Sequence, residues 1–83
     1  MSAHDTLLAS VAAELVRVRA QLGWTLEEAA ERARVEPERL AAAENGETPL
    51  DGDELEHLAG AYGLDVTAFF GGRTTPLSYL FGV

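Results

Sequence analysis

Between residues 25 and 46 the chain reads TLEEAAERARVEPERLAAAENG, and its punctuation leaves room for two short helices with almost nothing between them. Thr25 followed three residues later by Glu28 is the pattern in which a hydroxyl caps the first turn and a carboxylate reaches back to the cap. Pro37 suits a first helical position, where its missing N–H is no loss and its fixed φ is already helical. Gly46, after Glu44 and Asn45, can take the left-handed conformation that closes a helix. Only residues 33–35 separate the two segments, so the helices must cross tightly. Ala29, Ala30, Val35 and Leu40 are the small and branched residues that permit such a crossing.

The flanking sequence supplies the rest of an all-α fold. Leu7, Leu8, Val11, Leu15, Val18 and Leu22 recur at helical spacing and predict an amphipathic helix from about Asp5 to Leu22, ended by Gly23. After the break at Pro49, Asp51 and Glu54 repeat the cap-and-carboxylate pattern. Leu55, Leu58, Ala59 and Tyr62 then line one helical face, and Gly63 closes it. Residues 65–70 add a further turn or two before Gly71 and Gly72, which gives five helices in total. Trp24 is placed to plug the corner between the first two. Phe69 and Phe70 are adjacent, and both are not expected to face inward over one turn.

Eighty-three residues make one core. The expected division is a domain over residues 1–70 and a C-terminal tail over 71–83. Five apolar side chains crowd the end of that tail, among them Leu77, Tyr79, Leu80 and Phe81. Left in water they are unfavourable by about 25 cal/mol per Å². The tail is therefore expected either to fold back on its own bundle or to bury itself against a second copy. Its strand character also permits an intermolecular β pairing.

Composition excludes several classes of function. There is no cysteine, so disulfides and thiolate metal sites are absent. The apolar runs are far shorter than the ~20 residues that span a bilayer. The N-terminus lacks a basic segment followed by an apolar one, so a cytoplasmic protein with no membrane contact is expected. Asp53 and His57 lie four apart on one helical face, but a zinc site needs a third and a fourth ligand, and His4 sits at the far terminus. No nucleophile–base pair and no phosphate-cradling glycine loop is present. No metal, cofactor or catalytic residue is expected.

Charge is the feature that sits least comfortably with the helix pair. The net charge is −8, and residues 47–70 contain six acids and neither lysine nor arginine. Nucleic-acid affinity rests largely on neutralising phosphates, so a field of this sign opposes association. Any DNA contact needs a local arginine cluster, screened from the acidic face over a Debye length of ~8 Å.

In order and spacing these motifs resemble the phage-repressor/Xre (Cro/C1-type) helix-turn-helix family over residues 15–70. The matching parts are VRAQLGWTLEEAAERARV, the ENG that ends the third helix, the proline at position 49, and LAGAYGLDVTAFF. The resemblance implies a compact five-helix, lambda-repressor-like domain that presents residues 36–45 to the major groove of double-stranded DNA. It also implies a homodimer joined through the C-terminal element, and a structural ion pair between Arg19 and Glu44.

The family's contact residues carry over less well. Leu26 stands where the family usually places a phosphate-binding glutamine, and Arg34 replaces the small residue usual in the turn. The outward positions of the third helix are Glu36, Pro37, Glu38, Arg39, Ala41 and Ala42. Two roles are open to such a helix. As a reader, Glu38 accepts from cytosine N4, Arg39 takes guanine O6 and N7, and Ala42 or Ala41 touches a thymine methyl. Arg34, Arg17 and helix N-terminal amides then hold phosphates, and Asn45 with the backbone amides around it also faces the DNA. Alternatively the helix is a solvated face, or one that meets a protein, in a co-regulator, antirepressor or antitoxin-like module that keeps the fold without the DNA. A protein partner would engage the acidic face or the apolar tail.

Overall fold

Gly23, Gly46 and Gly63 each follow the end of a helix in the computed structural model, which describes residues 3–70, with side chains from Leu7 onward. Four α-helices are followed by a single 3-10 turn: α1 (Ala3–Leu22), α2 (Leu26–Ala33), α3 (Pro37–Glu44), α4 (Gly52–Tyr62) and the turn Val66–Phe70. The fifth helix expected over residues 65–70 is therefore this 3-10 turn. Asp65 starts it by accepting from both the N–H and the hydroxyl of Thr67, at 3.0 and 2.8 Å. The expectations for the tail, including Leu77, Tyr79, Leu80 and Phe81, and for the His4 side chain lie outside the described residues.

Local chemistry sets the helix boundaries. Asp51 and Glu54 form a complete capping box on α4. The Asp51 carboxylate accepts from the Glu54 N–H at 2.8 Å, and the Glu54 carboxylate accepts from the Asp51 N–H at 2.9 Å. Thr25 achieves half of this on α2. Its hydroxyl oxygen accepts from the Glu28 N–H at 3.1 Å, but the Glu28 carboxylate takes the Thr25 hydroxyl proton at 3.4 Å instead of the backbone N–H. Glu36 gives α3 no side-chain cap, and Pro37 opens that helix with its preset φ.

The core is built from one face of each helix. Val11 and Leu15 of α1, Leu40 of α3, Leu50 of the connecting loop, Leu55 and Leu58 of α4, and Phe69 are all essentially inaccessible. α2 packs on α4 and α3, while α1 packs on α3. The 3-10 turn lies against both α1 and α4. This last placement corrects the expectation for the two phenylalanines: Phe69 and Phe70 are both buried. The turn runs along a junction between two helices, so rings that diverge from consecutive residues each meet apolar cover. Phe69 meets Tyr62 edge-on, with ring centroids 6.4 Å apart.

Candidate nucleic-acid interface

The connection between α2 and α3 depends on one strained residue. Arg34 caps α2 at φ 58° and ψ 42°, the one positive φ outside glycine among the described residues. Its N–H donates to the Glu31 carbonyl at 3.2 Å, and the Val35 N–H donates to the Ala30 carbonyl at 3.0 Å. These two bonds reverse the chain within a residue, as a left-handed cap does. Ala29, Ala30 and Ala33 on α2 are buried, as are Val35 and Leu40 beyond the turn. Methyl-sized contacts let the helices approach closely, which is the helix-turn-helix arrangement.

α3 buries Leu40 and Ala43 and turns its N-terminal half outward. Glu36, Pro37, Glu38 and Arg39 are exposed, Ala41 and Ala42 are half-buried, and Asn45 is exposed past the C-terminal end. The six positions proposed to face bases thus divide into four open ones and two that are partly covered. α3 is held from behind by Arg19 of α1. The Arg19 Nε and Nη2 donate to the two carboxylate oxygens of Glu44 at 2.8 and 2.9 Å, and Nη1 donates to the Trp24 carbonyl at 3.0 Å. The Glu44 hydrogen bonds raise the pKa of Arg19, so this cation is permanent.

Most of the described arginines are engaged within the molecule. Arg39, the single base on α3, donates through Nε and Nη2 to Glu54 of α4 at 2.7 and 2.5 Å. Arg17 makes the same two-pronged pair with Glu14 one turn earlier on α1, at 3.1 and 2.6 Å. Arg32 lies 4.5 Å above the Trp24 ring, whose other neighbour is Tyr62 at 5.8 Å. Among the described residues, Arg34 is the arginine with neither an acidic nor an aromatic partner. It lines a shallow depression of about 400 Å³ together with Arg32, Glu28 and Glu31.

Two carboxylates are shifted by these arginines. Hydrogen bonds from Arg39 hold Glu54 below its ordinary pKa of 4.5, with the Asp51 N–H adding to the effect and partial burial opposing it. The Arg17 hydrogen bonds lower Glu14 likewise. Burial has the opposite effect on Tyr62, whose hydroxyl is pushed up to about 12 and has no hydrogen-bond partner among the described residues.

The sequence offered no warning of the Arg39–Glu54 pair. Fifteen residues separate the two, and Glu54 already had a complete explanation as the acid of a capping box. The arginine–tryptophan contact left a weak trace, since Trp24 and Arg32 lie eight apart across the start of α2. No helix among the described residues is long and apolar enough to cross a membrane.

No curated protein and no solved structure gives a significant match to the chain. A family model described as a helix-turn-helix domain matches residues 10–69. That stretch takes in most of α1, the whole of α2, α3 and α4, and all but the last residue of the 3-10 turn. The tight α2–α3 crossing, the outward N-terminal half of α3 and this match lead to one conclusion: the chain belongs to the helix-turn-helix family.

Proposed function

We propose that the protein is a small Xre-like transcriptional regulator that binds operator DNA as a homodimer, with α3 entering the major groove. Its role is binding rather than catalysis. The observation that carries this reading is the exposure of Glu36, Pro37, Glu38 and Arg39 on the far side of α3 from a core that Leu40 and Ala43 anchor. Glu38 and Arg39 are suited to a C·G-containing site, through cytosine N4 and guanine O6 and N7. Arg34, beside the turn, is the described cation best placed to meet a phosphate without first leaving a partner. A two-fold dimer sets half-sites ~34 Å apart. The proposed place is the cytoplasm, and the proposed dimer contact is the apolar tail.

A second role is favoured by a specific observation. Arg17 and Arg39 are each neutralised by a carboxylate, on a protein of net charge −8. A protein-binding module that keeps the fold without reading DNA accounts for that more simply. Selection from a random duplex library at low salt, followed by titration at two salt concentrations, separates the two. A regulator enriches a pseudo-palindrome and loses affinity steeply as salt rises, in proportion to the phosphates it neutralises. Absence of any duplex binding at low salt assigns the protein to the second role.

A further inference from the structure

We propose that Glu54, on α4 and outside the helix-turn-helix itself, is a positioning residue that sets the sequence specificity of Arg39. The proposal rests on the DNA-reading role assigned to α3. Exposed ion pairs usually contribute little, because two long side chains must be immobilised for a small electrostatic gain. Here one of the two is already fixed. The Glu54 carboxylate is the returning arm of the α4 capping box, held by the Asp51 N–H at 2.9 Å, and its side chain is 18% exposed. Arg39 therefore docks onto an oriented acceptor, and both carboxylate oxygens receive a guanidinium N–H. A guanidinium is a rigid plane, so a two-pronged grip on one edge orients the whole group.

Two consequences follow for recognition. The plane of the guanidinium is fixed relative to α3 by a neighbouring helix, and a bidentate base contact requires that orientation. At the same time the carboxylate cancels the charge that would let Arg39 bind any phosphate, which suppresses sequence-independent binding. Glu54 exchanges general affinity for discrimination at one base pair.

The test uses the full chain with four changes: Arg39→Ala, Glu54→Gln, Glu56→Gln and Asp53→Asn. Glutamine retains the capping function at Glu54 while removing its charge. Glu56 and Asp53 are exposed acids on the same helix, so their variants remove an equal charge while leaving Glu54 itself unchanged. Arg39→Ala first identifies the base pair whose preference disappears. Glu54→Gln is expected to bind every duplex more tightly yet lose discrimination at that pair by about tenfold, while the two control variants gain affinity and keep it. In the free protein, the Arg39 Nε–H resonance is expected to exchange with water slowly in the wild type and rapidly in Glu54→Gln. Wild-type discrimination in Glu54→Gln, or an equal loss in Glu56→Gln, overturns the proposal and leaves α3 as a reader. A wild type that selects no sequence, or an Arg39→Ala with unchanged preferences, removes the reading role of Arg39 and this proposal together.

Discussion

Arg19 near the end of α1 and Glu44 at the end of α3 grip each other through two parallel hydrogen bonds, with side chains 21% and 7% exposed. The pair is the polar link between the longest helix and the outward-facing one. It fixes how far and at what angle α3 projects. Removing one partner strands the other charge in a site that is mostly dry, which in buried pairs costs ~3–5 kcal/mol. Arg19→Ala is expected to fall near the lower end, about 3 kcal/mol in urea unfolding, because the guanidinium retains some solvent. Arg19→Lys should recover little, since an ammonium cannot match both carboxylate oxygens and the Trp24 carbonyl with one fork. The double change Arg19→Leu with Glu44→Leu should cost less than the two single changes added together.

Arg34→Gly is expected to stabilise the domain and weaken its hold on DNA. At φ 58° a side chain crowds its own backbone, which costs on the order of 1–2 kcal/mol. Glycine adopts this conformation freely and gives back part of the gain through its more flexible unfolded chain. A net rise of about 1 kcal/mol in thermal or urea unfolding follows. The same change deletes a cation beside the turn, so duplex affinity and its salt dependence should both drop. Stability and binding moving in the same direction would refute this account of Arg34.

The elements legible in the sequence were those fixed by local chemistry. Pro37, Gly46 and Gly63, together with the Asp51–Glu54 spacing, act through their own backbones, and each marks a helix boundary in the structure. From sequence the 3-10 turn reads as a fifth helix, because the apolar content of residues 65–70 does not reveal how many turns the chain completes. The seat of this segment against α1 and α4 is a tertiary fact that its own sequence does not carry. The same holds at the interface. Exposure of residues 36–39 follows from the amphipathic period, whereas the acid facing Arg39 depends on where α4 crosses, and no spacing rule encodes that.

Tyr62 has an apolar ring in a good position and a hydroxyl in a poor one. Its ring lies between Trp24, which is tilted to it, and Phe69, which meets it edge-on, while its oxygen is buried without a hydrogen bond among the described residues. An unsatisfied buried polar group carries a desolvation penalty of ~1–3 kcal/mol, so Tyr62→Phe is expected to raise stability by about 1 kcal/mol. The alkaline limb should change as well. The folded-state pKa of about 12 lies above the ordinary 10, so the unfolded chain releases the proton first. Stability from this group is complete below pH 10 and is lost as pH rises from there toward 12. Tyr62→Phe should remove that part of the decline, as urea midpoints collected across this range would reveal.

The Arg39–Glu54 pair predicts an acid limb that a single substitution can isolate. Glu54 is depressed below 4.5 chiefly by Arg39, so the folded protein binds its proton less readily than the unfolded chain. The sign follows: the contribution is complete above pH 4.5 and is lost as pH falls through the lower folded-state value. Arg39→Ala removes the main cause of the depression while leaving the Asp51 N–H in place. Its urea midpoint should therefore lie below that of the wild type at pH 6, and the gap should close progressively below pH 4.5. Added salt at pH 6 should narrow the same gap, because the Arg39 side chain is 42% exposed and solvent ions can screen it. A gap that persists unchanged into strong acid would mean that Arg39 stabilises the domain by contacts other than its pair with Glu54, and that this carboxylate is incidental to stability.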